Sequence, residues 1–138
     1  MELSIRKIKE SDWQTLVDMW KMWPEWKKAI PTKDLLPENG TGGFIVEKDN
    51  VAIVAGFMYT TNSKVAWTEW VVSNKNYRED DRKDALELLL NGIEHVAKAS
   101  GYSIILSIAR NKGLINTFKE LKYTVDENPS FEVVKKIN

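Results

Sequence analysis

One carboxylate stands inside an otherwise apolar, strand-like stretch of the sequence. Glu69 lies within Val65–Val72, a segment rich in the β-branched and aromatic residues that favour strands. An ionised carboxylate among apolar groups is costly unless it has a partner or a task. Glu69 could therefore act as a general base or hold a positively charged amine. The alternative is a structural pair with a Lys or Arg across the sheet.

A polar connector and a long helix follow this strand. Helix signals run from Asp81 to about Ala97, ahead of Gly101. The first N–H groups of a helix have no partner within the helix, so a strand leading into a helix N-terminus suits an anionic ligand. Residues 78–84 include three basic residues, Arg78, Arg82 and Lys83, and four acidic ones, Glu79, Asp80, Asp81 and Asp84.

Length and composition exclude several other kinds of chemistry. The 138 residues suit a single domain over residues 1–138. Twenty basic residues balance twenty acidic ones, which argues against nucleic acid as a partner. With no cysteine and one histidine, His95, the chain offers neither a thiolate site nor a multi-histidine site, and we expect no metal. No apolar run reaches membrane-spanning length, so we expect no membrane partner and a cytoplasmic location.

The first half of the chain predicts one strand, then a helix followed by a second, short one, and then three consecutive strands. Ser11 or Asp12 can cap the first helix, and a second, short helix is expected around Glu25–Ile30. Asp49-Asn50 predicts a tight turn, because both residue types tolerate positive φ. The predicted strands are Leu3–Ile8, Phe44–Lys48, Val51–Thr60 and the strand that carries Glu69.

The second half predicts a buried strand, a helix and two terminal strands. The nearly continuous apolar run Tyr102–Ile108 suits a strand buried on both faces and paired in parallel after the preceding helix. Asn111 can cap a helix over Gly113–Leu121, and Tyr123–Val125 and Phe131–Ile137 have strand character. The resulting order, β-α-(α)-β-β-β-α-β-α-β-β, is an α+β layer with mixed strand pairing.

Two motifs of the chain resemble the GNAT N-acetyltransferase superfamily. The interval from Glu69 to Tyr77-Arg78 has that family's spacing between an acidic strand residue and a Tyr-Arg loop. A second motif, from Asn111 to Tyr123, matches the family register at Asn111, Ile115, Leu121 and Tyr123. The resemblance implies a GNAT-like acyl-CoA N-acyltransferase fold, with about six to seven strands in a mixed central sheet and about four helices.

The same resemblance implies a function and a set of site residues. Acetyl-CoA would be the cosubstrate, and an amine on a small molecule or peptide would attack its thioester directly. Glu69 would be the base or amine holder, and Asn111 a ligand on the acetyl-CoA side. The remaining implied contacts are the backbone of Val71, Val72 and Ser73 for the pantetheine and thioester, and Arg78, Arg82 and Lys83 for the phosphates.

Two departures from the family pattern leave an alternative open. Asp81 and Lys83 stand where the family has glycine, and a carboxylate about 4 Å from a phosphate costs ~1 kcal/mol in water and ~4 kcal/mol at a surface-like dielectric. Phe118 stands where relatives often have a tyrosine, and phenylalanine cannot protonate a leaving thiolate. The alternative is a catalytically impaired GNAT-fold binding module, and the sequence also allows a homodimer.

Overall fold

The computed structural model describes residues 2–26, 29–128 and 130–137. The backbone divides into two compact units, Met1–Ile108 and Ala109–Asn138, each of which is described by itself. The first unit contains a mixed five-stranded sheet in which spatial order follows chain order. Its first three pairings are antiparallel and the last is parallel. The strands are β1 (Ser4–Lys7), β2 (Gly43–Lys48), β3 (Val51–Thr60), β4 (Val65–Ser73) and β5 (Ile104–Ser107).

Helices cover both faces of this sheet in the first unit. The helix α1 (Trp13–Lys21) joins β1 to the rest of the sheet, and α2 (Arg82–Ala99) forms the crossover from β4 to β5. The second unit contains α3 (Lys112–Glu120). Three short 3-10 turns complete the described secondary structure: Glu10–Asp12, Lys33–Leu35 and Pro37–Gly40.

The core forms on the two faces of the sheet because strand residues alternate between them. Ile45 and Ala55 belong to the α1-side cluster, and their chain neighbours Val46 and Val54 belong to the α2-side cluster. On the α1 side, Trp20 is fully buried and stacks on Phe57 with ring centroids 6.1 Å apart. Buried side chains of this size each contribute roughly 1.5–3 kcal/mol. The other helix residues in the clusters are Leu16 and Met19 of α1 and Ala85, Leu89 and Ile93 of α2.

The turn between β2 and β3 confirms the prediction made from Asp49-Asn50. Both residues have positive φ, 53° and 65°, as a two-residue hairpin turn requires. Lys48 pairs with Val51 directly across the turn. The hairpin therefore fixes where the Lys48 side chain leaves the sheet.

The predicted capping of α1 is only partly right. Asp12 is the N-cap residue, but its side chain makes no capping bond to α1. Its carboxylate instead accepts from the Lys9 N–H at 2.7 Å and from two guanidinium nitrogens of Arg6 at 2.8 and 2.9 Å. Arg6 also donates to Glu47 at 3.0 Å, so one arginine ties β1 to β2 and to the start of α1. The Asp12 carboxylate bonds to Arg6 in preference to the helix N–H groups because charge-assisted hydrogen bonds are stronger.

Several predicted elements differ from the structure. The short helix expected around Glu25–Ile30 is not seen in its described residues, and residues 27–28 lie outside the described chain. Glu25 and Trp26 form a turn, and Ala29 and Ile30 have no regular secondary structure. Tyr123–Val125 and the described part of Phe131–Ile137 are not strands. Apolar alternation alone does not make a strand, because each strand needs a partner for its backbone groups. Five strands and three α-helices are thus seen among the described residues, slightly fewer than predicted.

The strand β5 is parallel to β4 as predicted but is not buried on both faces. Ile104, Leu106 and the following Ile108 are between 41% and 53% exposed. The apolar run Tyr102–Ile108 predicts burial on both faces, and this prediction is wrong, because apolar residues also occur at the exposed surface of folded proteins.

Candidate active site

The parallel pairing of β4 and β5 stops in the middle of β4. Paired positions run from Val65 with Ile104 to Thr68 with Ser107, and the Ser107 hydroxyl donates to the Thr68 carbonyl at 2.7 Å. At the next residue, the Glu69 carboxylate accepts from the backbone N–H of Ile108 at 3.0 Å. A side chain thus takes the place of a ladder bond. Glu69 therefore lies where the two parallel strands part.

On its other edge, β4 contains a bulge immediately after Glu69. Glu69 pairs with Phe57 and Val72 pairs with Ala55, so Trp70 and Val71 together oppose the single residue Gly56. Trp70 has φ of 60°, which costs an ordinary residue roughly 1–2 kcal/mol. Such a bulge bends the strand and increases its twist. It therefore redirects β4 just as the strand leaves β5.

Glycine at position 56 gives the bulge its space. A Cβ atom there would lie 3.2 Å from a Val71 methyl group and 3.3 Å from a Leu89 methyl group. Both distances are tighter than most contacts of a real Cβ atom. A larger residue would press against the bulge on one side and α2 on the other.

The strained conformation of Trp70 is held by contacts of its side chain. Its indole N–H donates to the Tyr59 hydroxyl at 2.7 Å, and that hydroxyl donates to the Leu35 carbonyl at 2.8 Å. The Trp70 ring also lies 5.5 Å from the ring of Trp26. Burial raises the pKa of Tyr59 above its ordinary value. The bulge is therefore fixed by an aromatic cluster made of Trp26, Tyr59 and Trp70.

A tryptophan from outside the sheet also contacts the end of β4. The indole N–H of Trp23 donates to the Ser73 carbonyl at 2.8 Å, and the Lys75 ammonium lies 5.2 Å from the Trp23 ring. This contact is not predicted from the sequence. Its only sequence signal is a tryptophan beside Pro24 in an irregular segment.

The side chains of Val71 and Val72 are used for packing. Val72 is buried in the α1-side cluster, and Val71 packs against the α2-side cluster. Their side chains are therefore committed to opposite faces of the sheet. Any role for these residues in binding would have to use backbone groups, as the sequence analysis expects.

The N-terminus of α2 has an unusual arrangement of its acidic cap residue. Asp81 is the N-cap, with φ of −88°, and its side chain makes no capping bond. One carboxylate oxygen lies 3.0 Å from the Lys48 ammonium, and the other accepts from the Tyr77 hydroxyl at 2.6 Å. These contacts, led by the Tyr77 bond, hold the pKa of Asp81 below its ordinary value. The same carboxylate raises the pKa of both Lys48 and Tyr77.

The backbone is not strained at positions 81 and 83, where the family motif has glycine. Neither Asp81 nor Lys83 has positive φ. The side chains of Arg78, Arg82 and Lys83 are exposed around this end of α2. The substitutions therefore change the charge at the helix N-terminus and leave its backbone geometry intact.

In the second unit, Asn111 caps α3 as predicted. Its side-chain oxygen accepts from the Leu114 N–H at 3.1 Å. Phe118 is buried, and its ring lies 4.6 Å from that of Tyr123. At position 118 the chain therefore has a packed aromatic ring without a hydroxyl group.

Two negative findings apply to the described part of the chain. Within residues 2–26, 29–128 and 130–137, no group of three or more acidic or histidine side chains is placed to hold a metal ion. Across the same residues, no helix has the length and apolar character needed to cross a membrane.

Comparison with solved structures identifies the fold. No protein-family model and no curated protein sequence matches the chain. N-acetylglutamate synthase from Neisseria gonorrhoeae, complexed with coenzyme A and N-acetyl-glutamate, matches with a TM-score of 0.70 and 16% identity over 88% of this chain. The match spans only 28% of the synthase chain.

Two further structures match over most or all of their length. AAC(6')-Iy, in complex with a bisubstrate analog of CoA, has a TM-score of 0.69 and 16% identity, covering 99% of this chain and 100% of its own. YncA from Salmonella typhimurium, a putative acetyltransferase with acetyl-CoA, has a TM-score of 0.64 and 15% identity, covering 90% of this chain and 80% of its own. The protein thus has the GNAT acetyltransferase fold, as the sequence motifs predict.

Proposed function

We propose that this protein is an N-acetyltransferase that moves the acetyl group of acetyl-CoA to an amine by direct attack. The observation that carries the proposal is the opening between β4 and β5 beside a bulge, with the Glu69 carboxylate at the point where the strands part. The three similar structures described above contain CoA, acetyl-CoA or a CoA-based analog, which supports acetyl-CoA as the cosubstrate. The attacking nitrogen forms a bond to the thioester carbon, and the carbon–sulfur bond breaks.

Glu69 is proposed as the base or the holder of the amine. An amine must lose a proton to attack, and a carboxylate at the strand opening can accept it directly or through water. The Ile108 N–H at 3.0 Å positions one carboxylate oxygen. Glu69 belongs to β4, and the residue that follows β5 orients its carboxylate.

The backbone of β4 is proposed to pair with the pantetheine arm. An extended ligand can add to a strand through main-chain hydrogen bonds, and a nearby N–H can polarise the thioester carbonyl. Because the Ser73 carbonyl already accepts from Trp23, we assign this role mainly to Val71 and Val72. Ser73 remains in the proposed contact surface through its other backbone group.

The phosphates of CoA are proposed to lie at the N-terminus of α2. Helix N-termini favour anions, and Arg78, Arg82 and Lys83 add exposed positive charge there. That Asn111 is a ligand on the acetyl-CoA side stays a prediction from the family resemblance; within the second unit its amide oxygen caps α3, which leaves the amide nitrogen for binding.

No tyrosine is assigned as the acid that protonates the thiolate. The Tyr59 hydroxyl donates to the Leu35 carbonyl, the Tyr77 hydroxyl donates to Asp81, and the pKa of each is raised. Phe118 has no proton to give. General acid catalysis is worth typically 10²–10⁴-fold, so we expect turnover to be slow compared with an enzyme that has the tyrosine.

The acceptor is proposed to be an amine on a small molecule or a peptide. Trp70 directly follows Glu69 in the chain and packs with Trp26 in the aromatic cluster, and aromatic faces attract ammonium groups. One similar structure, the aminoglycoside acetyltransferase meta-AAC0020, was solved in complex with sisomicin, which supports a small-molecule acceptor. The single domain, the cytoplasmic location and a homodimer remain predictions.

Calorimetric titration with CoA is the first test of the proposal. We expect saturable binding at or below millimolar CoA. Absence of binding at millimolar CoA would overturn the transferase assignment and favour the binding-module alternative.

The variant Glu69→Gln tests the catalytic role. Glutamine keeps an oxygen acceptor for the Ile108 N–H and removes the negative charge, so we expect at least a ~100-fold lower rate of acetyl transfer with near-normal CoA affinity. The measurement is release of free thiol from acetyl-CoA with a panel of simple amines. Glu94→Gln, at an exposed position on α2, is the matched control and should retain the wild-type rate. A Glu69→Gln enzyme of unchanged rate would remove Glu69 from the mechanism.

A further inference from the structure

The acidic cap of α2 is turned away from the helix that it precedes. Asp81 would ordinarily accept from N–H groups of the first turn, which is the usual task of an aspartate at the N-cap. Here both of its oxygens are engaged sideways, by Lys48 at 3.0 Å and by Tyr77 at 2.6 Å. The carboxylate therefore does not occupy the N–H groups at the helix N-terminus.

Lys48 reaches this position from another part of the fold. It is the last residue of β2, immediately before the Asp49-Asn50 turn. Val46, two residues earlier, packs in the same cluster as Leu89 and Ile93 of α2, so the hairpin lies against the helix. The Lys48 and Asp81 side chains are only 27% and 23% exposed. The ion pair is thus partly shielded from water, unlike the exposed Arg78 and Arg82.

An unpaired carboxylate at this position would oppose the binding of a diphosphate. At about 4 Å from a phosphate, it would weaken binding roughly fivefold in bulk water and several hundredfold at a surface-like dielectric. An ammonium group within 3.0 Å of the carboxylate cancels most of that field. Whether the loop tolerates Asp81 therefore depends on Lys48.

We propose that Lys48 is a positioning residue for the CoA diphosphate, which acts by neutralising Asp81 and holding it aside from the N-terminus of α2. The inference rests on the proposed function, because it assumes that CoA is the ligand. It explains how an aspartate can stand where related sequences have glycine without closing the site. Lys48 acts through Asp81 and need not touch the ligand.

The test compares affinities for CoA and for pantetheine, which lacks the diphosphate, by calorimetry at low ionic strength. Lys48→Met keeps an unbranched side chain, shorter by one atom, and removes its charge. We expect Kd for CoA to rise at least ~10-fold and Kd for pantetheine to stay within about twofold. In the acetyl-transfer assay, KM for acetyl-CoA should rise with little change in kcat. Lys48→Arg should restore CoA affinity to within about threefold of the wild-type value.

The double variant Lys48→Met/Asp81→Asn separates this mechanism from a structural effect. Removing both charges should recover most of the CoA affinity that Lys48→Met loses. The inference is overturned if Lys48→Met binds CoA normally, if it loses CoA and pantetheine affinity equally, or if the double variant does not recover. Those results differ from failure of the proposed function, in which the wild-type protein itself would not bind CoA. Thermal unfolding of each variant verifies that the comparison is made on folded protein.

Discussion

At the scale of single residues, the carboxylates of Glu69 and Asp12 in the first unit have different partners. Glu69 accepts from a backbone N–H at an opening of the sheet, whereas Asp12 is enclosed by the Arg6 guanidinium and the Lys9 N–H. Asp12 is only 9% exposed, and its bonds all lie within the framework. The first carboxylate lies where β4 and β5 part, and the second helps to join β1, β2 and the start of α1.

Asp12→Asn should lower the free energy of unfolding by roughly 2 kcal/mol near neutral pH. The Arg6 bonds, as the largest cause, hold the pKa of Asp12 below its ordinary value of 3.8. A carboxyl group with a depressed pKa in the folded state stabilises the fold above its unfolded pKa, and this contribution is lost as pH falls through the folded value. In urea unfolding, the difference between the two proteins should therefore begin to shrink as pH falls below about 3.8, and it should vanish only below the lower pKa of the folded state.

Asp18→Asn provides the matched control, because Asp18 is exposed and bonds only to the nearby Gln14 within the described contacts. Its effect should stay within about 0.5 kcal/mol at every pH. A difference between Asp12→Asn and wild type that persisted unchanged at acidic pH would contradict the ionic origin of the stabilisation.

At the scale of elements, the sequence predicts β4 correctly except for its bulge. Its boundaries, its antiparallel pairing with β3 and its parallel pairing with β5 follow from residue types and element order, and they are confirmed. The bulge was not predicted. Nothing in Glu69-Trp70-Val71 requires positive φ, and tryptophan is a poor choice for it. The conformation comes from distant contacts with Tyr59 and Trp26, which no local pattern contains.

Because Trp70 has a strained backbone, we expect glycine to give a more stable protein than alanine at this position, whereas alanine is usually the more stable of the two within a strand. Trp70→Gly and Trp70→Ala both lose the indole contacts, but only glycine adopts φ of 60° without cost. The glycine variant should be the more stable of the two by roughly 0.5–1 kcal/mol, after allowing for its greater unfolded-state entropy. Trp67, in the regular part of β4, is the control: there the alanine variant should be more stable than the glycine variant. Urea unfolding of the four proteins checks both signs, and an alanine advantage at both positions would show that Trp70 is unstrained.

The N-terminus of α2 illustrates a second limit of sequence reasoning. Asp81 stands at the N-cap position, where an aspartate side chain ordinarily accepts from the first N–H groups of the helix, but it makes no such bond. The bond with Lys48 spans 33 residues and depends on a hairpin packing against the helix. Local rules place the residue, and tertiary contacts decide which bonds its side chain makes.

At the scale of the whole molecule, the first unit was predicted more successfully than the second. The strands of Met1–Ile108 have neighbours in the chain with which they pair, so apolar alternation and turn signals were sufficient. Asn111 and the helix after it were also predicted, because a cap and a helical period are local signals. The terminal strands failed, because residue alternation in Phe131–Ile137 does not say which strand would be the partner. In the described part of that segment, Phe131 is 94% exposed and Val133 is 90% exposed.

The terminal segment therefore provides a test of the whole-molecule description. Residues 130–137 lie outside any helix or strand, so their amides should exchange with deuterium at close to the intrinsic rate. The amides of β3, a central strand paired on both sides, should be protected by several orders of magnitude. Strong protection of Val133 and Val134 would instead mean that the apolar alternation forms a strand after all. Repeating the experiment at a hundredfold lower protein concentration identifies the source: protection that disappears on dilution requires a second copy of the chain, because only association depends on concentration. Protection that persists belongs to the single chain.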